Sequence, residues 1–142
     1  KLAIVSGIGC SSRMPGYMDA NTLHTTHGRA IAFATGMKLV NPELNIVLTM
    51  GDGDALAIGG NHFIHAARRN IDLTVLILNN AVYGMTGGQL SPTTFESMRT
   101  TTSPYGHLEP PFDAVELALG SGATFVARTT AFDIAQLTQY IK

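Results

Sequence analysis

Six residues at two points of the chain have the types and order that oxygen-based cation chemistry needs. They are Gly51-Asp52-Gly53-Asp54 and Asn79-Asn80. An Asp carboxylate and an Asn amide oxygen form a hard, oxygen-only pair. That suits Mg²⁺, which takes one or two protein ligands and completes its shell with phosphate oxygens and water. Gly51 and Gly53 carry no side chain, so backbone N–H groups there can approach a phosphate closely. A helix starting near Ala55 would aim its positive end at the same place. Together these parts describe a magnesium-diphosphate cradle. Alone, Asp52 would read as a helix N-cap; the Asn pair turns the balance to metal binding, with Asn79 turning the chain and Asn80 as ligand.

Such a cradle works only if the surrounding elements bring both points to one edge. Leu2 to Ser6 (LAIVS) is a short β-branched run that ends at Gly7 and Gly9, a strand entering a tight turn. Residues 11–26 are polar and irregular. Helical spacing follows from Gly28 to Leu39 and stops at Asn41-Pro42. Ile46 to Met50 (IVLTM) and Leu73 to Leu78 (LTVLIL) are continuous apolar runs, as expected for buried parallel strands. Between them, Ala55 to Arg69 reads as a helix interrupted at Gly59-Gly60. Phe112 to Leu119 reads as a helix, Thr124 to Ala127 as a strand and Ala131 to Ile141 as a last helix. The alternation predicts one α/β domain over residues 1–142, a parallel sheet flanked by helices on both sides. Ligands of such sheets bind at the carboxyl ends of the strands. Asp52 and Asn80 both lie at predicted strand ends. The Gly/Thr/Ser/Pro-rich stretch 81–111 is too long for an ordinary connection, and such loops usually bind something.

Composition narrows the partners. The chain is 45% apolar and only 13% charged, with a net charge of −1. That charged share is well below the roughly 25% of soluble domains. Either partner chains cover much of the surface or much of the chain lies in a buried sheet. No basic stripe suggests nucleic acid or an anionic membrane. No apolar run approaches the roughly 20 residues of a membrane span, and no signal-peptide pattern is present. The single cysteine, Cys10, cannot form an internal disulfide, which fits a reducing cytoplasm.

The residues after Asn80 narrow the reading further. Gly51-Asp52-Gly53 followed by Asn79-Asn80 matches the thiamine-diphosphate motif in order and spacing. Val82-Tyr83-Gly84-Met85-Thr86-Gly87-Gly88-Gln89 resembles the V-Y-x-x-T-G-G-Q segment of 2-oxoacid:ferredoxin oxidoreductases. Gly7-Ile8-Gly9-Cys10-Ser11-Ser12-Arg13, His24 to Ala30 and Thr100 to Gly106 are also similar to that family's beta subunit, so the resemblance covers nearly the whole chain. It implies a thiamine-diphosphate-binding fold. Mg²⁺ would be held by Asp52, the Asn80 side chain and the backbone carbonyl of Val82. Gly51, Gly53, Asp54, Thr86 and Gly87 would line the diphosphate, and Arg13 and Met85 would meet the substrate. Cys10 would be one ligand of a [4Fe–4S] cluster. The implied reaction is decarboxylation of a 2-oxoacid with acyl transfer to coenzyme A and electrons leaving to ferredoxin. 2-Oxoglutarate is the favoured substrate, with pyruvate as the other. The implied setting is an αβ hetero-oligomer. Its alpha subunit would supply the carboxylate that activates the cofactor's aminopyrimidine ring.

Two departures stand against the pattern. The cluster needs four cysteine ligands, and the other three lie nearer the two ends of the family's subunit. The chain is therefore expected to be the central part of a longer beta subunit, as its Lys1 start suggests, or to lack the cluster. Thr93-Thr94-Phe95 stands where relatives more often have proline after the threonines, which is expected to alter a local loop. Two rivals remain. A non-oxidative thiamine-diphosphate decarboxylase or acetohydroxyacid synthase-type enzyme shares the Gly-Asp-Gly and Asn-Asn pair but not the TGGQ segment. A nucleotide-sensing Mg-phosphate module is disfavoured by the absence of a Walker-type Gly-Lys-Ser/Thr segment. His62 and His65 read as packing or interface residues. His24 and His27 are placed at a pocket.

Overall fold

The computed structural model describes all of residues 1–142. Strands β1 (Leu2–Ser6), β2 (Asn21–His24), β3 (Asn45–Gly51) and β4 (Thr74–Leu78) form one sheet in the order β2-β1-β3-β4. Every pairing is parallel, so all four strands end at one edge. Helices α1 (Ala30–Val40), α2 (Gly60–Arg68), α3 (Ala114–Gly120) and α4 (Ile134–Ile141) complete the regular structure. Two tighter pieces join them: a 3₁₀ segment over Cys10–Tyr17 and a π-helical turn over Gly53–Ile58.

The strand register explains the core. Side chains alternate across a strand, and Ala3 stands beside Ile46 and Val5 beside Leu48. These four, with Met50, face one side and pack with Ala30, Ile31 and Ala34 of α1, Phe63 of α2 and Ala118 of α3. Val75 and Ile77 of β4 join the same face. Ile4 and Thr49, one residue out of step, are buried on the other side. The 3₁₀ segment packs there against β3, with Ser11 and Pro15 buried. Fully burying a Leu or Ile contributes about 1.5–3 kcal/mol, so Ile4, Ile31 and Leu48 anchor the layers.

The structure departs from the sequence reading in three places. Residues 11–26 are not irregular throughout, since they contain the 3₁₀ segment and the edge strand β2. All four β2 residues are exposed, so no apolar alternation marks them. Residues 124–127 do not extend the sheet, which ends at β4. Val126 and Ala123 pack on the core by side chain, and Thr124 Oγ1 donates to Asn70 Oδ1 at 3.1 Å. The third is LTVLIL, expected as a buried strand: β4 lies at the sheet edge and none of its residues is fully buried. The expected interruption of the second helix at Gly59-Gly60 is found, since the π turn closes on Gly59, whose N–H donates to Asp54 O at 3.1 Å, and α2 starts at Gly60.

Candidate functional site

β3 and β4 end flush, with Gly51 beside Leu78. The next residues of each strand therefore meet at the carboxyl edge. Asp52 enters this site almost completely buried, at 1% exposure. Its Oδ2 accepts two hydroxyl hydrogen bonds, from Ser91 Oγ at 2.5 Å and Thr93 Oγ1 at 2.6 Å. Its Oδ1 faces Asn80. One terminal atom of the Asn80 amide lies 2.9 Å from Asp52 Oδ1 and 2.9 Å from the Val82 carbonyl oxygen. With nitrogen in that position the amide donates to both acceptors. With oxygen there, three oxygens converge with no proton between them, an arrangement that only a cation would stabilise. Octahedral Mg²⁺ with bonds of about 2.05 Å has adjacent ligands roughly 2.9 Å apart. The 2.9 Å separations of the Asn80 atom from Asp52 Oδ1 and Val82 O thus suit either that pair of hydrogen bonds or a metal held by Asp52, Asn80 and Val82.

The turn that carries these ligands is strained and braced. Ala81, between Asn80 and Val82, has φ +58, a region uncommon for a residue with a Cβ. Asn79 Oδ1 accepts the Ala81 N–H at 3.0 Å, the role of turning the chain expected for it. Thr94 Oγ1 donates to Ala81 O at 2.7 Å and accepts from Ser91 N at 2.9 Å. Ser91, Thr93 and Thr94 are all buried. Sequence reasoning missed all three as site residues. In sequence they look like turn-formers beside Pro92; the available signal was the unexplained length of the 81–111 loop.

Gly53 follows Asp52 and makes room for Tyr83. A Cβ on Gly53 would come within 2.2 Å of Tyr83 Cε1, so only glycine permits this approach. The Tyr83 hydroxyl donates to Gly53 O at 3.3 Å. Burial, and then the carboxylates of Asp52 and Asp54, push the Tyr83 phenol above its ordinary pKa; a neutral phenol is favoured where an anion would face two others. The Tyr83–Gln89 bridge closes the following turn, and Met85, Thr86 and Gly87 lie exposed on it. Thr86 is tied to Gln89 by its hydroxyl at 2.5 Å and by its carbonyl at 2.6 Å.

Asp54 is placed differently from the other motif residues. Its buried carboxylate turns to the ends of β1 and β2, where Oδ1 accepts Gly28 N–H at 2.7 Å and Ile8 N–H at 3.2 Å. His27 Nδ1 lies 2.7 Å from the same oxygen. Asp54 thereby joins the glycine turn after β1, the turn before α1 and the end of β3. Cys10 is exposed at the start of the 3₁₀ segment. A Cβ on Gly84 would lie 3.2 Å from its sulfur and 3.4 Å from Asn80 Nδ2, which places the thiol at the rim of the Asp52–Asn80 site. Arg13 lies on a separate open cavity of about 410 Å³, with Ser12, Gly16, Tyr17 and His24. Its guanidinium reaches Tyr17 Oη at 3.3 Å, while His24 Nδ1 is 3.0 Å from Ser6 Oγ. His62 and His65 lie away from the site on the α1–α2 surface. There His62 Nε2 is 2.8 Å from Arg29 Nη1, and burial, then Arg29 and His65, hold the His62 pKa down.

Residues 7–142 match the family model described as the C-terminal TPP-binding domain of thiamine pyrophosphate enzymes. The chain is 66% identical over 132 residues to the 2-oxoglutarate synthase subunit KorB of Archaeoglobus fulgidus, covering 93% of this chain and 49% of that protein. It is 47% identical over 144 residues to the beta subunit of the 2-oxoacid:ferredoxin oxidoreductase of Saccharolobus solfataricus, covering 100% of this chain and 47% of that one. Among solved structures it is similar to a 2-oxoglutarate:ferredoxin oxidoreductase from Magnetococcus marinus with 2-oxoglutarate, coenzyme A and succinyl-CoA bound. The TM-score is 0.86 at 48% identity, over 87% of this chain and 43% of that chain. The chain spans about half the length of the curated relatives it matches.

Proposed function

We propose, for a chain that belongs to the beta-subunit family of the 2-oxoacid:ferredoxin oxidoreductases, that it is the cofactor-binding centre of an enzyme for CoA-dependent oxidative decarboxylation of 2-oxoglutarate. The observation that carries the reading is the convergence of the Asp52 carboxylate, the Asn80 amide and the Val82 carbonyl, in a domain of the thiamine-diphosphate class. In this reading 2-oxoglutarate, ferredoxin and an alpha subunit are the partners. The similarity to KorB supports them, as does the ligand set named for the Magnetococcus marinus structure.

Thiamine diphosphate, when bound, supplies the electron sink on which a 2-oxoacid loses carbon dioxide. This chain's residues would hold and orient it. Asp52, Asn80 and Val82 would hold Mg²⁺ against the diphosphate, with the backbone of Gly51 and Gly53 and the Thr86-Gly87 turn alongside. Asp54 serves that lining through its backbone, because its carboxylate holds the Ile8 and Gly28 amides. Tyr83, kept neutral, adds no anion beside the diphosphate. Arg13 would grip the substrate carboxylate with a two-pronged hydrogen bond, and Met85 would lie by the substrate chain. Cys10, the single cysteine of these residues, would offer one thiolate to a [4Fe–4S] cluster, which needs four.

The test is Asp52→Ala in the enzyme as isolated. Mg²⁺-dependent binding of thiamine diphosphate, followed by calorimetry, should be abolished. Normal cofactor affinity in that variant would remove the metal assignment. Dye reduction by the parent enzyme should require both coenzyme A and 2-oxoglutarate. Carbon dioxide release without dye reduction would favour the non-oxidative alternative.

A further inference from the structure

We infer that Ser91 and Thr93 are positioning residues that set the cation affinity of this site, by fixing which edge of the Asp52 carboxylate faces Asn80 and Val82. The inference rests on the reading of that site as a magnesium site. Neither hydroxyl touches the oxygens that would hold the ion. Both act on the far oxygen of the same carboxylate.

The Asp52 carboxylate is buried, and an unpaired buried anion is costly. Its Oδ2 is satisfied from one side only, by Ser91 Oγ at 2.5 Å and Thr93 Oγ1 at 2.6 Å. The Thr93 hydroxyl has one proton and three acceptors in range, the others being Asn79 Oδ1 at 2.8 Å and, more distant, Ser91 Oγ at 3.3 Å. Asn79 Oδ1 is already served by the Ala81 amide, and the charged acceptor binds a donor more strongly. The proton therefore goes to Asp52. With Oδ2 held by two donors, the carboxylate plane is fixed and Oδ1 is left toward Asn80.

The same turn controls the other ligand. Thr94 takes the amide of Ser91 and donates to the carbonyl of Ala81, the residue with φ +58 between Asn80 and Val82. The 91–94 turn thus braces Asp52 through Ser91 and Thr93, and Val82 through Thr94. Residues 39 and 41 positions away from Asp52 in the chain pre-form a site whose own residues carry no such constraint. Outer-shell partners of metal ligands typically contribute 10–100-fold to metal affinity.

The experiment titrates Mg²⁺ into the isolated enzyme stripped of metal, at fixed thiamine diphosphate, and reads cofactor binding by calorimetry and protein fluorescence. Thr93→Val and Ser91→Ala each remove one donor, while Thr93→Ser keeps it. The expected result is a Mg²⁺ half-saturation at least about 10-fold higher in Thr93→Val and Ser91→Ala, with Thr93→Ser close to the parent. Thermal melting separates this from a purely structural role, which would lower the melting temperature and leave half-saturation unchanged. Half-saturation within twofold of the parent in both donor-deleted variants overturns the inference. If Thr93→Val does not fold, Ser91→Ala carries the test alone. Asp52→Ala separates the two levels. If it abolishes the Mg²⁺ dependence and the hydroxyl variants do not shift it, only the positioning role fails. If Asp52→Ala binds cofactor normally, the magnesium reading fails and takes this one with it.

Discussion

Asp54 shows how much one buried carboxylate can organise. Its Oδ1 collects the amides of Ile8 and Gly28, and its Oδ2 sits where a side chain on Gly7 would have to go. A Cβ at Gly7 would lie 2.0 Å from that oxygen. Gly7→Ala must therefore push Asp54 aside and break at least one charge-assisted bond in a buried site. The expected loss is about 3 kcal/mol, read as a lower urea midpoint with little change in slope. A midpoint equal to the parent's would mean that Asp54 does not hold the three loops together. The contrast with Asp52 is instructive. Two residues along, the same side chain is saturated on one oxygen and left with the other facing Asn80.

At the scale of elements, the helices differ in how they start and what they bury. The N-cap of α3 is Asp113, whose Oδ1 accepts from Val115 N at 2.8 Å and Glu116 N at 3.2 Å. Arg128 donates to the same oxygen at 2.6 Å. The Arg128 hydrogen bond first, and then the Glu116 and Val115 amides, hold the Asp113 carboxyl below the usual carboxylate range. A carboxyl whose pKa is depressed by folding stabilises the fold above its unfolded pKa, and the contribution disappears as pH falls through the folded value. Asp113→Asn keeps a capping oxygen but removes the charge. It should melt below the parent at neutral pH, and the gap should close as the pH falls below about 4. A gap independent of pH would show that the charge contributes nothing. α4 begins with a similar cap, Asp133 to the Gln136 amide at 3.0 Å, yet it buries no residue.

At the scale of the whole molecule, many large apolar side chains lie open to solvent. Leu108 is 92% exposed and Phe132 95% exposed, and Tyr105, Phe112 and Phe125 are also open. The charged share of 13% offers little to keep such a surface apart from its like. Residues 1–142 produced alone should bind a hydrophobic dye and self-associate in sedimentation. The same residues within the isolated enzyme should bind far less dye. Equal dye binding in both settings would show that nothing covers these side chains. No helix is long and apolar enough to cross a membrane.

What could be read in the sequence follows from what is local. IVLTM announces a buried parallel strand by its run of apolar residues, and Gly51-Asp52 announces the turn that must follow. Asn79-Asn80 does the same after LTVLIL. Parallel strands deliver their ends to one edge, so the meeting of Asp52 with Asn80 was implied once the strands were recognised as neighbours. The Val82 carbonyl came from family resemblance, since a backbone oxygen leaves no mark in a sequence. The rest depended on contacts across the chain. β2 shows no pattern because its side chains are exposed and only its backbone pairs with β1. Residues 124–127 have strand-like types, but of them only Val126 packs on the core, and their backbone stays outside the sheet. Asp54 is expected from the resemblance to line the diphosphate, and only the fold shows that its carboxylate holds the amides of Ile8 and Gly28. Ser91 and Thr93 look like turn residues, and only the fold places their hydroxyls on Asp52. Side-chain periodicity and turn chemistry are properties of neighbouring residues. The partner of a buried polar group is chosen by the packing of the whole chain.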